Sequence, residues 1–209
     1  MNAIEVIEIH LKESAAVKQQ LARTAAPAIA EAGRRIAERV AKGGKIMLCG
    51  NGGSAADSQH MAAEFTSRLR ASLERPPIAA IALTTDTSFL TARANDYGFD
   101  EVFERLVLGL GQPADVLIGI STSGNSENVV RAVKCCQARN ILTVGFLGCS
   151  GGKLGSLVDI PIIVPSDSTQ YIQESHIAIG HIVCELVEEA LYGDKSSEYE
   201  FLAKGGLQA

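Results

Sequence analysis

The chain contains no run of lysine or arginine, and its balance is acidic. Nineteen Lys and Arg face 24 Asp and Glu, giving a formal net charge of −5 and a sequence pI of about 5.4. That shortage of clustered positive charge argues against a surface built to coat nucleic acid or an anionic membrane. A small anion remains compatible, because a phosphate needs a few local donors and not a basic protein. No apolar stretch approaches the ~20 residues of a membrane-spanning helix. The first twenty residues lack the basic start, unbroken apolar run and small-residue cleavage site of a secretory signal. C-x-x-C is also missing, although Cys49, Cys135, Cys136, Cys149 and Cys184 make five cysteines. Neither a zinc ribbon nor a thioredoxin-like motif is therefore available. The expectation is a cytoplasmic protein whose cysteines are mostly small buried hydrophobes in a reducing compartment.

What is present suits a globular domain: 209 residues, 46% hydrophobic and 21% charged. That length supports one full core, and the composition excludes disorder. Residues 1–42 read as two helices, with Ile4, Ile7 and Leu11 in one pattern and Ile29, Ala32, Ile36 and Val40 in the next. Pro27 suits the first turn of the second. Beyond Gly43-Gly44, β-rich runs at 45–49, 78–83, 116–120, 142–146 and 160–164 alternate with helical patterns near 54–68, 87–110, 126–139 and 170–192. This predicts an α/β fold: a doubly wound, five-stranded parallel sheet flanked by helices, with an N-terminal helical extension. One domain is expected over 1–194, with a polar tail over 195–209 and a variable loop over 69–77. The N-terminal helices are expected either to bury against another subunit or to cover one sheet face.

In such a sheet, ligands sit at the carboxyl ends of the strands. The first strand runs into Gly50-Asn51-Gly52-Gly53-Ser54-Ala55. This satisfies a dinucleotide fingerprint only formally, since the second strand ends near Asp86, more than thirty residues away. Its physical content is a backbone that a ligand can approach, leading into a helix N-terminus. The third strand runs into Ser121-Thr122-Ser123-Gly124-Asn125-Ser126, a ring of donors suited to phosphate beyond what ordinary N-capping needs. His60, Glu64 and Arg68 follow at steps of four and share one helical stripe, which fits either a metal pair or a solvated ladder. Near the C-terminus stand Gln173, His176 and His181. Spacing alone pairs Gln173 with either histidine. His10 has no motif around it.

Together these blocks, with Thr84-Thr85-Asp86 and Asn95-Asp96-Tyr97-Gly98, resemble the phosphoheptose isomerases of the sugar isomerase (SIS) superfamily, in order from about Ile4 to Tyr192. The resemblance implies the SIS fold and conversion of D-sedoheptulose 7-phosphate to D-glycero-D-manno-heptose 7-phosphate. The product would serve nucleotide-activated heptose for bacterial surface polysaccharide. It implies one Zn2+ per subunit on His60, Glu64, Gln173 and His181, with Glu64 as base and His181 as acid. Substrate contacts would come from Asn51, Gly52, Gly53, Glu64, Asn95, Asp96, Ser121, Thr122, Ser123, Ser126 and Gln173. It also implies a cytoplasmic homotetramer acting on a sugar phosphate, with neither nucleic acid nor membrane as partner. Glutamine is a poor zinc ligand beside His or carboxylate, so zinc should be held more loosely than in a structural site. The sequence departs from the family at Gln170-Tyr171, where many members carry Ala-Arg. Two rivals share the glycine and serine loops: a non-catalytic SIS scaffold that binds the replication initiator, and an SIS protein for another phosphosugar. The scaffold lacks the Glu and final His that this chain keeps at Glu64 and His181.

Overall fold

The computed structural model describes residues 1–193, so the expected tail over 195–209 lies outside the described residues. Helix α1 (Ala3–Thr24) opens on a reciprocal cap. The Glu5 N–H donates to the Asn2 side chain at 3.0 Å, and the Asn2 N–H donates to the Glu5 carboxylate at 2.9 Å. Pro27 falls in the first turn of α2 (Ala26–Ala41), where its missing N–H leaves no helical bond unmade.

Five strands follow: β1 (Ile46–Gly50), β2 (Ala80–Ala82), β3 (Val116–Ser121), β4 (Leu142–Leu147) and β5 (Ile160–Ile163). They form one all-parallel sheet in the order β2-β1-β3-β4-β5. The sheet is covered on both faces, which is why β1, β3 and β4 are apolar without alternation. Ile46 and Leu48 point into one core with α2, α3 (Gly53–Thr66) and α7 (Thr169–Tyr192). Met47 and Cys49 point into the other, with α5 (Val102–Leu110) and α6 (Glu127–Ala138).

The predicted order of elements holds, with corrections at their edges. The single helix expected over 87–110 is two, because Gly98 takes φ +96° and ends α4 (Thr87–Tyr97) before α5 begins. The two N-terminal helices have different roles. Helix α2 covers the sheet, burying Ile29, Ala32 and Ile36, whereas α1 leaves Ile4, Ile7 and Leu11 between 53% and 64% exposed. The stretch 69–77 is a loop, as expected from its sequence, and it buries Leu73 and Arg75. Cys49, Cys136 and Cys184 are buried, Cys135 is intermediate and Cys149 is exposed; all five are free. Among the described residues, no helix is long and apolar enough to cross a membrane.

Candidate active site

Strand β1 feeds β2 on one side, while β3 feeds β4 on the other. The crevice beyond Gly50 and Ser121 is therefore the topological switch point of the sheet. Two helix N-termini open into it, α3 after Gly52 and α6 after Ser126. Their first-turn N–H groups have no intrahelical acceptor and carry the positive end of each dipole.

The glycine loop turns at Gly52, where φ is +55°. Its neighbour Asn51 is fixed by a reciprocal amide pair with buried Asn128, at 3.0 and 2.9 Å. That pair ties the glycine loop to the first turn of α6. Ser121 and Ser126 share a hydroxyl–hydroxyl bond of 2.9 Å, and the Asn125 N–H donates to Ser123 Oγ at 3.2 Å. Gly124 (φ +67°) passes so close to the next loop that a Cβ would lie 2.0 Å from the Gly151 carbonyl. The loop carrying Ser121, Thr122, Ser123 and Ser126 is thus braced from behind and presents hydroxyl and N–H donors without needing to fold around its ligand. A cavity of ≈ 230 Å³ adjoins the glycine loop, lined by Asn51, Gly52, Thr84, Leu90, Phe99 and Phe103.

Helix α3 carries His60 and Glu64, with His60 Nε2 lying 3.4 Å from Glu64 Oε1. From α7, His181 meets the same imidazole at 3.0 Å between the two Nε2 atoms, their rings edge to face. Gln173, on the first turns of α7, lies over the glycine loop: a Cβ on Gly53 would fall 2.5 Å from its Nε2. The structure therefore brings His60, Glu64, His181 and Gln173 to the α3–α7 seam beside the glycine loop.

It also separates the two histidines that spacing left open. His176 is fully buried, its Nε2 bonded to the Leu147 carbonyl at 3.1 Å, and burial pushes its imidazole down to about 4. It is a neutral core residue.

One expectation needs correction. Arg68 does not extend the stripe, because α3 ends at Thr66 and Arg68 pairs instead with Glu74 at 2.7 Å. Asn95 and Asp96 stand exposed on α4, where their side chains bond to each other at 2.9 Å and to no residue of the glycine or serine loops. The departure at Gln170-Tyr171 also finds a reason. The Tyr171 hydroxyl donates to Glu13 on α1 at 2.9 Å, so it links two helices of the scaffold. His10 has a partner too, in Glu174 at 2.8 Å.

Sequence reasoning missed Asp57. Burial raises its carboxyl, and the nearby His60 and His181 oppose that rise, placing it electrostatically with the pair. The available signal was its position three residues before His60, one turn up the same face.

The donor set has the chemistry of a zinc site: two imidazole nitrogens, a carboxylate and an amide. Two nitrogens sharing a tetrahedral zinc sit about 3.3 Å apart, close to the approach of His60 and His181. Among the described residues, no three His, Cys, Asp or Glu side chains already converge to enclose an ion. The donors stand as two pairs sharing His60.

Residues 10–148 match the SIS domain family. A phosphoheptose isomerase of Roseiflexus sp. is 52% identical over 182 residues, 87% of this chain and 91% of the relative. That of Nitratidesulfovibrio vulgaris is 47% identical over 191 residues, 91% of each chain. The solved structure of phosphoheptose isomerase GmhA from Neisseria gonorrhoeae superposes with a TM-score of 0.85 at 42% identity, covering 90% of this chain and all of that one.

Proposed function

The chain belongs to the SIS domain family, among its phosphoheptose isomerases, and from that premise we propose that it interconverts D-sedoheptulose 7-phosphate and D-glycero-D-manno-heptose 7-phosphate in heptose biosynthesis. The observation that carries this reading is the seam itself. A carboxylate and two facing imidazoles stand beside two helix N-termini suited to phosphate.

Aldose–ketose isomerisation moves a proton between adjacent carbons through an enediol, so it needs a base at carbon and an acid at oxygen. The phosphate sits against the Ser121–Ser126 loop and the glycine loop, which places the C1–C2 end of the opened sugar toward α3 and α7. Glu64 takes the C1 proton and returns it at C2. His181 gives a proton to the C2 carbonyl oxygen and recovers one from the C1 hydroxyl as the new carbonyl forms, so it ends the cycle as it began. Gln173 and the Asn51–Gly53 backbone hold the hydroxyls. His60, Glu64, Gln173 and His181 are the residues that would hold one zinc per subunit. When bound, zinc would polarise the substrate carbonyl and stabilise the charge that develops on oxygen. A carboxylate that also ligates zinc is a weaker base, so either Glu64 would alternate between the two roles or the metal would have another.

The exposed apolar residues of α1 support assembly, and we assign a cytoplasmic homotetramer. Asn95 and Asp96, which do not reach the loops within this chain, join the substrate site in that assembly. Retention of both Glu64 and His181 in one contact network favours the enzyme over the scaffold.

The test is Glu64→Gln, which keeps shape and removes the base. Turnover of sedoheptulose 7-phosphate should fall about 10²–10⁴-fold, with the melting temperature little changed. Wild-type turnover would refute the assignment.

A further inference from the structure

Helices α3 and α7 run side by side and divide the candidate machinery between them, His60 and Glu64 on one, Gln173 and His181 on the other. They meet along a line of close contacts. At its start Gln173 lies on Gly53. Halfway along, Gly180 is pressed against Met61, so that a Cβ there would fall 2.8 Å from its sulfur. These two residues are the chain neighbours of His181 and His60. At the far end the helices do not touch through apolar side chains alone. Arg75 stands there, contributed by the stretch that follows α3.

Its side chain is wholly buried, as is that of Glu188 on α7. Arg75 Nε donates to Glu188 Oε1 at 2.8 Å, and Nη2 lies 2.8 Å from the same oxygen. The rest of the guanidinium turns toward the end of α3. Nη2 donates to the Glu64 carbonyl at 2.9 Å and Nη1 to the Phe65 carbonyl at 2.9 Å. Those carbonyls belong to the last turn, where helical partners run out and the dipole favours a cation. Glu188 is saturated in turn, since Oε1 accepts the Leu69 N–H at 3.0 Å and Oε2 the Arg70 Nε–H at 3.3 Å. Glu188 follows His181 by seven residues, which returns it to nearly the same face of α7.

We propose that Arg75 and Glu188 are positioning residues for the isomerase reaction, a buried clamp that fixes the end of α3 carrying Glu64 against the face of α7 carrying His181. The inference rests on the proposed function for its kinetic consequence, but its structural consequence is independent of it. A planar fork is needed for the task, because one group must reach two successive carbonyls and a carboxylate at once. The clamp touches neither the serine loop nor the glycine loop. It therefore governs how the reacting groups are aligned and leaves the phosphate anchor alone.

Removing one member would leave a buried unpaired charge and threaten folding. The test thus uses Arg75→Lys and the apolar pair Arg75→Met with Glu188→Leu, alongside the wild type. For each folded variant we would measure kcat and KM for sedoheptulose 7-phosphate, and determine a crystal structure. The expected result is kcat at least ten-fold lower with KM changed less than three-fold, and a His60–His181 approach wider than 3.0 Å. Wild-type kcat in a folded apolar-pair variant would overturn the proposal, as would a loss confined to KM. An unchanged His60–His181 approach would overturn it too. If the wild type itself fails to isomerise the sugar phosphate, the functional reading falls, and the separation of the two rings still decides whether the clamp positions them.

Discussion

Replacing Gly53 with alanine should separate stability from activity, because the two effects act through different atoms. Gly53 is the first residue of α3, and alanine is favoured over glycine by up to ~1 kcal/mol within a helix. Its φ is not in the left-handed region, so no backbone strain opposes the change. The melting temperature should hold or rise by no more than about 2–4 °C. The new methyl, however, would lie 2.5 Å from Gln173 Nε2. Ordinary contact needs about 3.5 Å, so the amide must retreat by about 1 Å. A displacement of that size in a positioned group can reduce turnover by about 10²-fold. The assay is kcat and KM for sedoheptulose 7-phosphate with a thermal melt on the same sample. A double-mutant cycle with Gln173→Ala then shows the route of the effect. If alanine acts by pushing Gln173 aside, the double variant is no slower than Gln173→Ala alone. Wild-type kcat in Gly53→Ala, or fully additive losses in the cycle, would refute the reasoning.

The two α7 histidines should fail in opposite ways. His176→Ala empties a core position and should cost about 2–4 kcal/mol of stability while the folded protein still turns over. His181→Ala should leave the melt near wild type and lose about 10²-fold or more in turnover. Stability should fall in acid over two successive pH windows. His176 is held at about 4 against an ordinary 6.5, so its contribution is complete above pH 6.5 and is lost as pH falls toward 4. That is up to about 3 kcal/mol by linkage, and His176→Gln should flatten this part of a stability–pH curve. Glu174 is held at about 2 by Ser14, then His10 and Lys18, so its contribution persists above pH 4.5 and disappears between 4.5 and 2. Light scattering at micromolar concentration should give a tetramer, and Ile7→Glu on α1 should shift it toward smaller species.

Elements with strong periodicity were legible in the sequence, and their ends were less so. All five strands fell within two residues of their predicted bounds, and β1, β3 and β4 were plainest because burial on both faces leaves continuous apolar runs. The stretch 87–110 reads as one helix in sequence, yet only its second half is strongly amphipathic, and the positive φ of Gly98 with the 3-10 turn Phe99–Glu101 separates the two. At the site, the glycine and serine loops declare themselves by composition. The choice between His176 and His181 could not be made from spacing, since it depends on which side of α7 meets α3. Arg75 was invisible for a related reason. It sits in a stretch with no period, and its partner is 113 residues away. Long-range burial of a charge leaves no local trace.

The order in which the halves of the site are made has its own consequence. His60 and His181 are 121 residues apart, and at about 5–20 residues per second a ribosome needs roughly 6–24 s to make the second after the first. Through that interval β1 waits for β3, its neighbour on the inner side of the sheet, and then one face of the sheet waits for α7. A chain interrupted before Thr169 presents Leu48, Met61 and Phe65 without their cover. Such a fragment should be inert toward the sugar and adhesive toward its own kind. Messages truncated there should yield a burden on chaperones and proteases in place of a weakened enzyme.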